Sequence, residues 1–148
     1  MPALYEHLGI RFLYPENWSL VDEEREAWPR SVTVQNEETC FFSLHVYPAK
    51  QDMGPIIDTV IESIREEYSE LEILEAKEKV GDVPAQGVDI CFFYLDLLVE
   101  AKIRAVQTPT YTLVWHYQAE TREFEKMEPV FQAIATSLMQ TQVAAVKK

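Results

Sequence analysis

Long apolar runs are missing from this 148-residue chain. The longest, such as Cys91-Phe-Phe-Tyr-Leu95, fall far short of the roughly 20 residues a spanning helix needs, so no membrane segment is expected. Glycine is scarce, with four in all, and no glycine-rich strand-to-helix turn is present. That argues against a doubly wound nucleotide-binding sheet, whose phosphate loop depends on such a turn. Cysteine is reduced to Cys40 and Cys91, each inside an apolar strand pattern and without a CxxC. Redox and structural-zinc readings therefore have nothing to stand on, and two buried reduced thiols are expected. Basic residues are few: 13 against 25 acidic, a formal charge of −12. Nucleic acid and anionic lipid bind by having their charge neutralised by Lys and Arg, so both are excluded as expected partners. The balance would suit a partner with a basic face, although surplus acid also serves solubility alone. The opening Met1-Pro-Ala-Leu-Tyr-Glu-His7 has neither the basic segment nor the apolar stretch of a secretion signal, and a cytoplasmic location is expected.

What is present suffices for one globular domain. Hydrophobic residues make up 47% and aromatics 11%, which is ordinary usage for a chain with a packed core. We place a single domain at 1–140 and a frayed tail at 141–148. Ile10, Phe12 and Tyr14 alternate with Arg11 and Leu13, and a second alternation follows from Trp18 to Asp22. With Pro15 presetting the first turn corner, the two read as a hairpin joined by Pro-Glu-Asn. Val32 and Val34 mark another strand. In Thr39–Tyr47, Cys40, Phe42, Leu44 and Val46 share one side, while Phe41, Ser43, His45 and Tyr47 share the other; a central strand covered on both faces is expected.

Ile57, Val60, Ile61, Ile64 and Tyr68 recur at helical spacing after Pro55, which predicts an amphipathic helix over Pro55–Glu70. A strand over Glu72–Val80 and a loop over Gly81–Gly87 come next, then three strands up to Ala119. Among these, Ala101, Ile103 and Ala105 are expected inside, and Glu100, Lys102 and Arg104 in water. A turn is expected near Asp96 without glycine, asparagine or proline to define it, and another at Thr108-Pro-Thr110. A closing helix opens at Thr121 as N-cap, with Pro129 as a kink or a restart and Phe131, Ile134, Ala135 and Leu138 as its buried stripe. The fold class is α+β: an antiparallel β-sheet of about seven or eight strands flanked by two main helices.

The opener Gly9-Ile-Arg-Phe-Leu-Tyr-Pro-Glu-Asn-Trp18 and the closing pattern Phe124-x4-Pro129-x-Phe131-x2-Ile134-x2-Ser137-Leu138 carry a likeness. Together with the element order, they resemble the PsbP-like superfamily, whose branches include PsbP, Ran-binding Mog proteins, DcrB and Eag-type secretion chaperones. The resemblance implies an α/β/α sandwich serving as a binding or adaptor module, with no catalytic residues to carry over. It does not select a branch, and with no export signal read in the opening residues an exported role like that of the PsbP and DcrB branches is not expected.

Several residues could carry chemistry. His45 and His116 would meet if their strands were neighbours, with Asp89 a conceivable third ligand. No HxH, HxxxH or HExxH spacing supports a metal or catalytic site, and isolated histidines bonded to backbone or water are the plainer reading. Aromatic neighbours of Cys40 and Cys91 argue against a lowered thiol pKa. Asn17-Trp-Ser19 matches a glycosylation acceptor, read as a coincidence of the turn. Trp28, inside the charged stretch Asp22–Arg30, either anchors that loop or is the residue a partner buries. Tyr94, Tyr111, Trp115 and Tyr117 concentrate on the late strands and are expected as core. We therefore expect no catalytic residues, no cofactor and no metal, with Trp28 as the candidate partner-binding residue. The leading function is a non-catalytic module binding a protein or peptide. The alternative is a small-molecule-binding or hydrolytic protein with a pocket between the sheet and the C-terminal helix, lined from Tyr111–Gln118. A homodimer pairing an exposed sheet edge is the third reading.

Overall fold

In the computed structural model, residues 2–7, 9–23, 29–36, 40–68, 70–80 and 82–146 are described, except for the side chains of Glu23 and 141–146. In chain order the elements are β1 (Pro2–His7), β2 (Ile10–Pro15), β3 (Ser19–Glu23), β4 (Arg30–Gln35), β5 (Phe41–Pro48), α1 (Met53–Glu67), β6 (Glu72–Val80), β7 (Val83–Tyr94), β8 (Leu97–Gln107), β9 (Tyr111–Glu120) and α2 (Thr121–Val146). Seven strands form one sheet in the order β3-β4-β5-β9-β8-β7-β6, with every pairing antiparallel. β1 and β2 form a separate two-stranded ribbon. The architecture is α+β, as the alternation and helical spacing predicted.

The two faces of the sheet have different covers. On one, Ile56, Ile57, Ile61 and Ile64 of α1 pack on Val88, Ile90, Ile103 and Val114. On the other, Phe131, Ile134 and Leu138 of α2 join Phe42, Leu44, Trp115 and Tyr117, and the ribbon adds Ile10 and Phe12. Each such side chain taken fully out of water contributes on the order of 2 kcal/mol, so these stripes decide which face each helix covers. α1 lies over β8 and β9, and the face it shares with β3, β4 and β5 stays partly open: Ser31, Thr33, Phe41 and His45 are half-buried and Gln35 is exposed. β5 is thus fully covered on one side only, by the even-numbered residues Phe42, Leu44 and Val46.

Several expectations need correcting. The two opening strands do not pair with each other: β2 pairs with β1, and β3 is the edge strand beside β4. Ile10 and Phe12 are buried against the α2 core, and that burial separates them from β3. The intervening turn is closed by Trp18 N–H donating to the Pro15 carbonyl at 3.0 Å, so Pro15 is the residue before the first corner. The expected loop over Gly81–Gly87 is strand from Val83 onward, where β7 begins and Val83 pairs with Val80. α1 begins at Met53, with the Asp52 carboxylate accepting from Gly54 N–H at its cap. Thr121 is already helical and its buried Oγ1 has no hydrogen-bond partner, so it does not cap α2. α2 runs through Pro129 as one helix to Val146, into the segment expected as a tail.

The largest departure is Arg104, expected in water and found 2% exposed under α2. Its Nε donates to Glu78 at 3.0 Å, Nη2 to Asp89 at 2.7 Å, and Nη1 to the carbonyls of Val88 and Ile103 at 3.1 and 3.0 Å. All three guanidinium nitrogens donate, in four hydrogen bonds, and such pairing is the condition for burying the group. Gly87 faces Arg104 across the β7–β8 pair. A Cβ there would fall 1.7 Å from the Ile103 carbonyl oxygen, so only glycine permits this close approach of the two strands.

Candidate functional site

β5 and β9 are neighbours, and the register sets His45 opposite Val114 and Ser43 opposite His116. Both imidazoles thus project from adjacent strands on the partly open face, one diagonal step apart. His45 Nδ1 lies 2.8 Å from Ser31 Oγ, and His116 Nε2 lies 3.2 Å from Gln118 Oε1. Phe41 stands edge-on to His116 with ring centres 5.0 Å apart, and Thr33 and Ser43 share a hydrogen bond of 2.8 Å. Each imidazole meets a side chain, in addition to whatever backbone or water bonds were expected. Burial pushes the His116 imidazole down to about 4, outweighing its bond to Gln118, and His45 adds a smaller push in the same direction. Asp89 does not join them: strand parity puts it on the α2 face, against Arg104. Among the described residues, no group of three or more His, Cys, Asp or Glu gathers to hold a metal ion.

Cys40 is buried and Cys91 half-buried, both as thiols. Desolvation first, and then Glu100, Glu72 and Asp89, push the Cys91 thiol up, which keeps it protonated. Trp28, the candidate partner-binding residue, lies outside the described residues.

Where the late aromatic strand meets α2, the described side chains are tightly packed. Leu113, Trp115 and Tyr117 are at most 1% exposed, and Tyr117 stacks on Phe131 at 4.6 Å. His116 faces the opposite way. The open space beside α2 lies instead against the ribbon. It is a groove of about 700 Å³ walled by Leu13, Tyr14, Pro15, Pro129, Val130 and Ile134. Leu13 N–H donates to Ser137 Oγ at 2.9 Å at its edge and ties ribbon to helix.

The most unusual surface is the end of the β7–β8 hairpin. Tyr94 pairs with Leu97, so Leu95 and Asp96 alone make the turn, with φ of 48° and 66°. Two successive positive φ values are the signature of the primed hairpin turn, which favours Asn-Gly. Here the first position holds leucine, 78% exposed. Phe93 is 69% exposed, and Tyr94, Leu97 and Leu98 are exposed as well. Tyr68, just past α1, braces the tip by stacking on Phe92 at 4.2 Å and meeting Tyr94 edge-on at 5.8 Å. Beside the tip a groove of about 270 Å³ runs between Tyr68, Tyr94, Leu97 and Val99, with Gln118 and Glu120 on its polar side. Sequence reasoning placed the turn near Asp96 and missed its consequence. A turn set inside an apolar run, beyond the reach of either helix, leaves that run in water, and this was the available signal.

No protein-family model and no curated protein sequence matches the chain. Solved structures do. Cyanobacterial PsbP (CyanoP) from Synechocystis aligns with a TM-score of 0.65 at 14% identity, over 92% of this chain and 90% of that one. A protein from Bacteroides thetaiotaomicron aligns at 0.61 and 12% identity, over 90% of this chain and 46% of its own length. LpqN of Mycobacterium tuberculosis gives 0.44 at 13% identity, over 91% and 86%. At these identities the likeness establishes the architecture: two helices on a large antiparallel sheet, the PsbP-like fold.

Proposed function

Taking the PsbP-like fold as premise, we propose that this chain is a non-catalytic protein-binding or adaptor module, working through the β7–β8 tip and the groove beside it. The observation that carries the reading is the cluster of exposed Phe93, Tyr94, Leu95, Leu97 and Leu98 at one end of a braced hairpin. Clustered exposed apolar side chains of this kind mark contact surfaces, and aromatic residues among them supply most of the energy when buried. The histidines and Arg104 are each engaged in separate hydrogen bonds or ion pairs, which supports a binding role over a reaction. A reducing, cytoplasmic setting suits the two thiols. No described helix is long and apolar enough to cross a membrane.

A photo-reactive residue at position 93, compared with one at Glu62 on the solvent side of α1, tests the proposal. Specific adducts at 93 and none at 62 are expected. Equal labelling at both, or none at 93, would defeat it. The second reading, a small-molecule site, is favoured by the apolar groove between α2 and the ribbon. A thermal-shift screen of apolar metabolites checks it, since a bound ligand raises Tm by mass action.

A further inference from the structure

We infer that the β7–β8 tip and its groove bind a protein segment combining apolar side chains with Lys or Arg. The inference rests on the binding reading above and adds the chemistry of the partner. Leu95 carries the first step. It adopts φ 48°, where leucine is strained and glycine is not, and its side chain is 78% exposed. A residue that is both strained and unburied gains nothing within its own fold. Only another molecule can remove that side chain from water, together with Phe93 and Leu98. On the face of the hairpin opposite Phe93 and Leu98, the groove between Tyr68, Tyr94 and Leu97, at about 270 Å³, has room for an apolar side chain of the visitor.

Charge then decides the kind of visitor. Asp96 lies in the turn itself, and Glu72 and Glu100 stand opposite Cys91, two residues before Phe93 on the same strand face. Nearby Arg122 is taken up by Glu120 at 2.8 Å, and Lys102 by Glu128 at 2.7 Å. An apolar knob ringed by carboxylates repels anionic headgroups and a second copy of the same acidic surface. A basic rim on the partner complements it, steering approach while the apolar centre is desolvated.

Immobilised peptides with one apolar pattern, flanked by Lys, Ser or Glu, serve as the probes. Phosphatidylcholine vesicles with and without phosphatidylglycerol, and light scattering of the protein alone, are the other arms. Lys-flanked peptides are expected to bind about tenfold more tightly than Ser-flanked ones, with Glu-flanked ones weakest and the preference shrinking in high salt. Phe93→Ser, at an exposed position, is expected to cost about tenfold. Leu95→Gly is expected to weaken binding while Tm holds or rises, which separates lost contact from lost folding. Equal affinity for the three flanks, preferential binding to vesicles, or a dimer abolished by Phe93→Ser would each overturn the inference. If position 93 still labels a protein while the flanks bind alike, only the partner chemistry fails. If labelling fails as well, the binding reading falls with it.

Discussion

Along β7 and β8, a buried cation stands at one station and exposed hydrocarbon at another. Arg104 is 2% exposed, yet each of its three guanidinium nitrogens donates, to Glu78, to Asp89 or to the Val88 and Ile103 carbonyls. Phe93 and Leu95, at the other end of the same hairpin, are 69% and 78% exposed. The guanidinium is complete in itself; the tip is not. The difference separates residues that explain the fold from residues that ask for a partner. Polar burial that is paired within the fold, as at Arg104, is structural. Apolar exposure held in a strained turn is the feature the fold leaves unexplained.

The sharpest way to break the buried station is Gly87→Ala. Its Cβ would meet the Ile103 carbonyl oxygen at 1.7 Å, so β7 and β8 must separate there. A loss of about 3 kcal/mol or more in urea unfolding is expected; an unchanged midpoint would show that the strands are not packed this tightly. Arg104→Met comes close behind. It leaves Glu78 and Asp89 without their cation, but both are partly exposed and can regain water, so about 3 kcal/mol is expected and not more. Adding Glu78→Gln and Asp89→Asn to Arg104→Met should recover part of that loss, and further destabilisation would contradict the pairing.

On the opposite face, His116 tests burial through pH. Its folded pKa of about 4 lies below the ordinary 6.5, so the unfolded chain takes up the proton first. Stability is therefore complete above pH 6.5 and falls as pH drops from there towards 4. About 2 kcal/mol is expected, less than the whole shift because the ring is only half-buried. His116→Gln should flatten this part of the profile in denaturant titrations. The smallest effect is expected at the tip, where Leu95→Gly relieves a left-handed leucine. It should stabilise by about 1 kcal/mol and raise Tm by about 3 °C in calorimetry. A fall in Tm would mean that Leu95 is held by contacts within the chain.

Much of this was legible in the sequence, and the failures have physical causes. Period-two alternation located β5 and β9, and helical spacing located α1 and the stripe of α2, because each pattern is written within a single element. The partner of β2 was not legible. Pro15, Glu16 and Asn17 suit a turn, but whether Ile10 and Phe12 pair with β3 or pack under α2 depends on contacts more than a hundred residues away, such as Leu13 with Ser137. Arg104 was misplaced because strand alternation treats a charged residue as solvent-facing; its acceptors Glu78 and Asp89 come from two other strands. The same parity that misled there also removes Asp89 from the histidines. For the candidate site, the apolar run up to Leu95 and the turn near Asp96 were both visible. Their coincidence at an uncovered end required the topology, since only the strand order shows where α1 and α2 stop.

The most direct measurement is the photo-labelling yield at position 93 in native cells, taken side by side for the unchanged chain and for Leu95→Gly. A specific adduct with the leucine turn, and most of it lost with glycine although that variant is the more stable protein, is the predicted result. Equal yields from the two chains would contradict the claim that the strained leucine exists to be covered by a partner.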